Sequence, residues 1–330
     1  MKKKIIITGG GGYIGSRLVP ILIKKKFNVT VYDQFYFGNY LTKHKNLKII
    51  KGDIRDTKEI FNCSLGNDIF LHLACVSNDA SFQLKPELSK EINFDCFEPM
   101  VIAAKLAGIK KFIYASTSSV YGISKKKNVT ENHKLLPITL YNKYKAECEP
   151  LLLKHSSKKF CTSIFRPATV CGYSPRQRLD LSVNILTNYA FNKRYIKVFG
   201  GKQLRPNLHI LDYCRVVLKL INSPSKKINK KIFNVGNQNM SIMEIAQIVK
   251  KEVENKLKTK IEIVKTSSDD KRSYHINSDK IKKELKFYPK YNISNAVQEI
   301  CNAFQKNKIL KPFSKDEYYN VKTLLKKGIS

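Results

Sequence analysis

Two absences in the sequence narrow the classes of protein to which it can belong. No apolar segment approaches the roughly 20 residues that a membrane-spanning helix requires, so we expect a soluble protein without a membrane partner. The eight cysteines are scattered, and no pair has the CxxC spacing of a zinc knuckle or a redox dithiol. We therefore predict no metal site and a location in the reducing cytoplasm.

Acidic residues are also scarce. The chain has 26 of them against 61 lysines and arginines, which gives a net charge of +35. A basic surface of this kind attracts nucleic acids nonspecifically. However, the lysines occur in short runs, at 24–26, 125–127 and 226–231, without interleaved aromatic residues or a nucleic-acid-binding motif. We favour a solvated lysine surface with no specific nucleic-acid partner, which still attracts anionic ligands weakly.

The order of the hydrophobic patterns predicts the fold. In the first half, short apolar runs alternate with longer helical patterns, which is typical of βαβ units and a parallel sheet. We predict an α/β protein with a doubly wound Rossmann sheet over residues 1–166, to which later segments add strands, and a smaller mixed α/β substrate lobe over 167–330. The predicted strands of the first lobe are 4–8, 28–33, 47–51, 68–73, 111–115 and 160–165, and the helices are 12–25, 86–106 and 141–155.

After residue 166 the pattern is less regular. Ser241 and Glu244 have the spacing of a capping box, which marks the start of one helix. The last 25 residues are rich in lysine and only weakly patterned. The predicted strands of this half are 196–199, 208–211, 232–235 and 261–264, and the helices are 181–191, 212–221, 241–255 and 293–305.

The segment IITGGGGYIGSRL places a glycine turn between the first strand and the first helix. Gly9 permits the tight turn, Gly12 lets a pyrophosphate approach the backbone, and Gly15 allows the helix to pack closely on the strand. The N-terminus of the helix then faces the anion. A strand, a glycine turn and a helix in this order predict a dinucleotide-binding site.

The end of the second strand indicates which dinucleotide binds. Asp33 ends the strand VTVYD about 20 residues after the glycines, where its carboxylate suits the ribose hydroxyls of NAD and repels the additional phosphate of NADP. NAD is therefore the predicted cofactor. Other strand ends point into the same crevice, together with the start of the first helix. The further cofactor-binding residues that we predict are Tyr13, Ile14, Asp53, Ile54, Leu73 and Ala74.

A tyrosine and a lysine four residues apart form the candidate catalytic pair. Tyr141 and Lys145, in YNKYK, project from one face of a helix, one turn from each other. A nearby ammonium favours the phenolate, so we expect the pKa of the tyrosine to be lowered and the tyrosine to act as a general base. Thr117, in YASTSSVYG after the fifth strand, is expected to bond the same substrate oxygen.

Together these motifs resemble those of the extended short-chain dehydrogenases/reductases, in particular the NAD-dependent nucleotide-sugar epimerases and dehydratases. The resemblance covers nearly the whole chain, through TGGGGYIG, HLA, STSSVYG, YNKYK, RPATVCG and RPNLHILD. It implies that Tyr141 takes a proton from a sugar hydroxyl while a hydride passes to NAD. It also implies that Lys145 holds the nicotinamide ribose, that Thr117 fills a serine/threonine position, and that Asn93 lies beside the cofactor.

The same resemblance implies that the second lobe binds a nucleotide-diphosphate sugar. Asn184 matches an asparagine that contacts the diphosphate. Phe199 and Arg205 match a segment that packs on the base and supplies an arginine to the phosphates, for which the planar guanidinium fork is well suited. Arg272 is a second candidate for the phosphates.

The residues that follow Thr117 bear on the reaction. Family members that remove water from a sugar usually carry an acid pair there, whereas this chain has Ser118 and Ser119. Two serines favour 4-epimerisation, in which the hydride returns to the other face of the carbinol. Ser77 and Asn78 lie beside the expected sugar and are unusual for such an epimerase, so the sugar and the nucleotide stay open.

Several alternatives also stay open. The same scaffold serves nucleotide-sugar reductases, dehydrogenases and dehydratases, and a remote alternative is a non-catalytic dinucleotide-sensing or RNA-associated protein. Arg176 and Arg178, in YSPRQRLD, are placed near the substrate entrance. The resemblance further implies a homodimer that packs through helices 86–106 and 141–155.

Overall fold

The computed structural model describes residues 3–124, 126, 128–268 and 273–328 of the chain. The strands in this part of the chain form three sheets. They are β1 (Lys4–Thr8), β2 (Asn28–Asp33), β3 (Leu47–Lys51), β4 (Ile69–His72), β5 (Lys111–Ala115), β6 (Cys161–Pro167), β7 (Thr169–Cys171), β8 (Tyr195–Phe199), β9 (Leu204–His209), β10 (Lys231–Val235), β11 (Gln238–Ser241) and β12 (Glu262–Thr266).

Helices of very different length connect these strands. A π-helical turn covers Glu91–Asp95, and 3-10 turns cover Ser118–Tyr121 and Asp316–Tyr318. The α-helices are α1 (Tyr13–Lys24), α2 (Thr57–Ser64), α3 (Asp79–Phe82), α4 (Pro86–Lys90), α5 (Phe97–Leu106), α6 (Leu140–Lys154), α7 (Ser182–Lys193), α8 (Ile210–Asn222), α9 (Ser225–Ile228), α10 (Ile242–Leu257), α11 (Asp279–Leu285), α12 (Ile293–Gln305) and α13 (Asn320–Lys327).

The largest sheet is parallel, with seven strands in the order β10-β6-β5-β4-β1-β2-β3. Ile5 and Ile7 pack into a core with α1 and α8, while Ile6 packs on the other face with α5 and α6. Because both faces are buried, the strands are continuous apolar runs. The strand order reverses between β1 and β4, so a crevice opens at the carboxyl ends of these strands. The predicted α/β fold is confirmed, and β10 is the strand that the second half contributes.

Most of the predicted strands of this sheet lie where we expected them. The bounds of β1, β2, β3 and β5 agree with the prediction, and those of β4 and β6 differ by one or two residues. The helix predicted over 86–106 has the observed outer bounds, but a π-helical turn divides it into α4 and α5. Pro99 has no N–H for the carbonyl of Asp95, and the Cys96 amide instead donates to the Glu91 carbonyl at 3.1 Å.

The second half of the chain builds the remaining two sheets. β9 lies between β7 and β11, and β8 pairs with β12. Helices α7, α10 and α12 pack against this region in a core of their own. The strand predicted over 208–211 is wrong at its end. His209 terminates β9, and its Nδ1 accepts a hydrogen bond from the Leu211 amide at 3.1 Å, which caps α8.

The C-terminal segment is ordered, although its sequence is only weakly patterned. A 3-10 turn and α13 occupy 316–327, and the carbonyl of Tyr318 accepts a hydrogen bond from the Leu179 amide at 2.9 Å. Leu324 packs against Val76, in the loop that follows β4. The end of the chain therefore returns to the crevice of the first lobe.

A buried ion pair joins β6 to α6 behind the carboxyl end of β5. Arg166 donates to both carboxylate oxygens of Glu149, at 2.9 and 2.5 Å, and their side chains are 3% and 2% exposed. Ser116 donates to the same carboxylate at 2.6 Å, and Arg166 also donates to the Tyr121 hydroxyl at 2.6 Å. The pair thus fixes the loop that carries the catalytic candidates after β5.

Breaking this pair on one side is expected to destabilise the fold strongly. Arg166→Met leaves the Glu149 carboxylate buried without a cation, so we expect the free energy of unfolding to fall by about 3–5 kcal/mol. Adding Glu149→Gln removes the stranded charge and should restore part of that loss. Urea denaturation of the single and double variants measures both effects. A double variant less stable than Arg166→Met would contradict this account.

Candidate dinucleotide and substrate site

A cavity of about 550 Å³ lies at the carboxyl ends of β1, β2, β4 and β5, between the two halves of the chain. Its wall combines the glycine turn, the loops after these strands, the start of α6 and residues from the C-terminal helix. Most of the predicted site residues line it together. They are Gly9, Gly12, Tyr13, Ile14, Asp33, Asp53, Ile54, Leu73, Ala74, Ser77, Asn78, Thr117, Tyr141, Lys145 and Arg205.

The shape of the glycine turn requires glycine at two of the three motif positions. At Gly9 the φ angle is +75°, and a Cβ atom would lie 2.5 Å from the Ala74 amide nitrogen. At Gly15 a Cβ atom would lie 2.3 Å from the Gly10 carbonyl oxygen, so this glycine serves the close packing of the turn. At Gly12 a Cβ atom would meet only the Gly9 carbonyl oxygen, at 3.4 Å, and the position faces the cavity.

The N-terminus of α1 is electrostatically suited to bind an anion. Gly12 caps the helix without a side-chain hydrogen bond, and the first turn has no acidic residue. The first amide groups of α1 therefore keep their positive end for an anion. A dinucleotide with its diphosphate at this turn is compatible with the residues present.

Asp33 lies at the end of β2, on the cavity wall beside the turn. Its carboxylate accepts hydrogen bonds from the Gly11 amide at 2.8 Å and from the Phe35 amide at 2.7 Å. Burial raises the pKa of this carboxyl group, and the two amide bonds oppose that rise. The side chain is thus fixed where the adenosine ribose of a dinucleotide is expected.

The neighbouring strand ends are held by local bonds. Asp53 accepts from Arg55 at 2.6 Å and from Gln34 at 3.1 Å, so its charge is already paired. Asn93 lies behind the wall, not on it. Its side chain bonds both backbone groups of Val76, at 2.8 and 3.0 Å, and thereby fixes the loop after β4.

The catalytic candidates meet at the other end of the cavity. Lys145 is buried, and its ammonium donates to the Ala115 carbonyl at 2.6 Å and lies 4.5 Å above the ring of Tyr114. The Tyr141 hydroxyl makes no hydrogen bond within the described ranges. Thr117 lies 2.9 Å from Ser119, oxygen to oxygen. A free phenol and a paired hydroxyl therefore face the same space.

The pKa of Tyr141 differs from our expectation. Burial raises it well above the ordinary value, and the nearby Cys75 and Asp79 raise it further, while Arg178 lowers it. Lys145 is not among the groups that shift this pKa most strongly, and its ammonium bonds a backbone carbonyl instead of the phenol.

Four predicted residues do not reach the cavity. Asn184 is buried and bonds Tyr13 at 3.1 Å, the Gly172 amide at 3.1 Å and the Arg178 carbonyl at 2.9 Å. Phe199 is 53% exposed at the end of β8. The others are Asn93, described above, and Gly15, which packs inside the turn. Arg272 lies outside the described residues.

The substrate candidates that do line the cavity have defined local roles. Asn78 has a φ angle of +76°, and its side chain caps α3 through the Ser81 amide at 2.8 Å. Arg205 donates to the Leu204 carbonyl and lies 5.3 Å from the ring of Tyr274, which also lines the cavity.

Sequence reasoning missed a polar network on the cavity wall. Arg178 bonds Asp180 at 2.8 and 3.1 Å and donates to the Ser77 hydroxyl at 3.3 Å. Asn320 donates to the same hydroxyl at 2.8 Å and accepts from Arg176 at 2.6 Å. The arginines were visible in YSPRQRLD. No local signal pointed to Asn320, which lies 243 residues from Ser77 in the sequence.

The described residues form neither a metal site nor a membrane-spanning helix. No group of three or more histidine, cysteine, aspartate or glutamate side chains within these ranges is arranged to hold a metal ion. Among the described helices, none is long and apolar enough to cross a membrane. All eight cysteines are free thiols.

Comparison with known proteins identifies the family to which the chain belongs. Residues 5–236 match the model of the NAD dependent epimerase/dehydratase family. The UDP-N-acetyl-alpha-D-glucosaminuronate decarboxylase of Bacillus cytotoxicus is 31% identical over 75% of this chain and 79% of its own. The dTDP-D-glucose 4,6-dehydratase of Mus musculus is 27% identical over 94% of this chain and 93% of its own.

A solved structure confirms the fold. The UDP-glucose 4-epimerase of Thermotoga maritima superposes with a TM-score of 0.81 at 21% identity, over 92% of this chain and 99% of the other.

Replacing Asp33 is expected to change the choice of cofactor. In Asp33→Ala the carboxylate no longer repels a 2′-phosphate, so the ratio of NADP to NAD affinity should rise at least about tenfold. Titration calorimetry with both dinucleotides measures the ratio. Asp53→Ala is the matched control, since Arg55 already neutralises that carboxylate. An unchanged ratio in Asp33→Ala would remove Asp33 from cofactor selection.

Proposed function

Because the chain belongs to the NAD-dependent epimerase/dehydratase family, in which NAD is the cofactor, we propose that it is a nucleotide-sugar 4-epimerase. One observation carries the proposal. The unpaired hydroxyl of Tyr141 shares the cavity wall with Lys145 and with the hydroxyls of Thr117 and Ser119. This arrangement suits the removal and return of one proton at a sugar carbinol.

NAD supplies the hydride acceptor, and afterwards the hydride donor, at carbon 4 of its nicotinamide ring. Tyr141 removes the proton of the sugar 4-hydroxyl as the hydride leaves carbon 4, and it returns a proton to the same oxygen when the hydride comes back. Thr117 donates a hydrogen bond to that oxygen. Lys145, fixed by the Ala115 carbonyl, holds the nicotinamide ribose. The configuration at carbon 4 would invert if the hydride were returned to the opposite face of the 4-keto group.

The residues after β5 support epimerisation over 4,6-dehydration. Elimination of water needs a proton donor for the leaving hydroxyl and a base for the neighbouring carbon. Ser118 and Ser119 carry hydroxyl groups and no carboxyl group; Ser118 is also buried, and Ser119 bonds Asn142 and Thr117. Asp79 does carry a carboxyl group on the cavity wall, and its charge acts on Tyr141. This carboxylate accepts a hydrogen bond from Thr139 at 2.6 Å.

Oxidative decarboxylation of a nucleotide-linked uronate is the second candidate. The 31% identity to a decarboxylase favours it, as does Arg178, whose charge acts on Tyr141 and whose guanidinium is of the type that holds a carboxylate. The pairing of Arg178 with Asp180 weighs against it, since that charge is already compensated.

We further propose a cytoplasmic homodimer. Ile102 and Leu106 are 41% and 73% exposed on α5, which packs beside α6, so these helices offer an apolar surface for a second copy. The eight free thiols are compatible with a reducing compartment.

The reaction is tested by incubating the purified protein with UDP-, GDP-, dTDP- and CDP-linked hexoses and with the corresponding uronates. We expect the 4-epimer of one nucleotide sugar by NMR, with unchanged mass and with protein-bound NAD recovered in its oxidised form. Loss of 18 Da would indicate dehydration, loss of 44 Da decarboxylation, and accumulated NADH dehydrogenation. Any of these three results would replace the epimerase proposal.

Tyr141→Phe tests the assigned base. Removing the phenolic hydroxyl should lower kcat by at least about a hundredfold, because proton transfer by a positioned group contributes 10²–10⁴-fold. The affinity for NAD should stay within about twofold. Tyr144→Phe on the same helix is the control, since the Tyr144 ring stacks on Phe82 and Phe94 and does not line the cavity. Undiminished turnover in Tyr141→Phe would exclude this tyrosine as the base.

A further inference from the structure

Arg176 is a buried cation that the proposed reaction does not use. Its side chain lines the cavity and the residue is 2% exposed. Its Nη2 donates to the neutral side chain of Asn320 at 2.6 Å, and its guanidinium lies 3.8 Å from the centre of the Phe37 ring. Its Nε is buried and has no hydrogen-bond partner in the described part of the chain.

The other buried arginines of the described chain behave differently. Arg166 pairs with Glu149 and Arg178 pairs with Asp180, whereas Arg176 forms no ion pair with any described residue. Burial, reinforced by the charge of Arg178, lowers the pKa of Arg176 to about 9, while the charges of Asp180 and Asp33 oppose that shift without forming an ion pair with it. A buried cation without an ion pair is unfavourable, so a fold that retains one gains from an anionic ligand at that place.

The surroundings of Arg176 indicate which anionic ligand it would bind. Its backbone amide donates to the Ser16 hydroxyl at 3.2 Å, in the first turn of α1, whose N-terminus is the diphosphate position described above. Phe37 belongs to the loop after β2, and the charge of Asp33 acts on Arg176. Arg176 therefore lies on the dinucleotide side of the cavity, while Arg205 and Tyr274 form another part of the wall.

We propose that Arg176 is a ligand of the NAD diphosphate, supplied by the second half of the chain, and that Asn320 is its positioning residue. The planar guanidinium has further N–H donors beside the one that Asn320 occupies, and paired donors of this kind match phosphate oxygens. The proposal concerns cofactor binding and holds for whichever sugar reaction the enzyme performs.

Through Asn320, binding of the cofactor depends on helix α13. Its amide side chain joins Arg176 to the Ser77 hydroxyl, and its backbone amide donates to Asp180 at 3.0 Å. Leu324, one turn further along α13, packs on Val76. The C-terminal helix thereby connects the arginine to the loop after β4.

The first test is titration calorimetry of NAD-free protein with NAD, ADP-ribose and UDP. Arg176→Gln should weaken NAD and ADP-ribose binding at least about tenfold, since a hydrogen bond to a charged group is worth about 1.5–3 kcal/mol. Binding of UDP should change by less than twofold. Arg176→Lys should show a smaller loss, because it keeps the charge but not the fork. Arg194→Gln, an exposed arginine, controls for net charge.

A second variant separates a ligand role from a structural one. Asn320→Asp places a carboxylate against Arg176, so it should raise the melting temperature of the NAD-free protein and weaken NAD binding at least about fivefold. A merely structural arginine would give stabilisation without loss of NAD affinity. The Asn320→Asp variant also tests the ligand role of Arg176 if Arg176→Gln does not fold.

Two outcomes would overturn the assignment. A selective loss of UDP affinity in Arg176→Gln would transfer the arginine to the diphosphate of the substrate. Unchanged affinity for all three ligands, in both variants, would leave Arg176 without a ligand role.

Discussion

The whole site depends on the hydrogen bonds that join the first turn of α1 to Gly172 and Ser174. The Tyr13 hydroxyl donates to the Gly172 carbonyl at 2.7 Å, and Ser174 donates to the Tyr13 carbonyl at 2.7 Å and lies 2.8 Å from the Ser16 hydroxyl. Because these bonds are buried, the loss of any one of them would leave an unsatisfied polar group and lower the stability of the fold. The turn proposed to present amide groups to a diphosphate thus also fixes the segment of the second half that carries Arg176 and Arg178.

Charged residues differ between the surface of the protein and its interior. The surplus of positive charge is mainly lysine, and most lysines are on the surface, where water solvates them. The cations built into the interior beside the cavity are largely arginines, whose weakly hydrated and planar groups tolerate burial when they are bonded on several sides. Lys145 is the exception, and its ammonium has a backbone carbonyl in place of bulk water. The interior is therefore suited to anionic ligands independently of the basic surface.

The sequence predicted the parts of the fold and of the site that depend on local signals. Strands β1, β2, β3 and β5 are buried apolar runs, and residues at their carboxyl ends share one edge by topology alone, which brought Asp33 and Thr117 to the same cavity. The role of Asn320 was not predictable, because its partners Ser77 and Arg176 are far away in the sequence. Asn184 was expected to face a ligand, but it bonds the docking segment instead.

Tyr141 shows why a pair of residues is not sufficient to define a base. The spacing YNKYK brings an ammonium within one helical turn, but that ammonium bonds Ala115, and burial of the phenol disfavours the phenolate. On the proposed assignment, Tyr141 remains protonated until further positive charge reaches the cavity. A bound oxidised nicotinamide ring would supply such a charge. Proton removal is then confined to the complex in which a hydride acceptor is already in place.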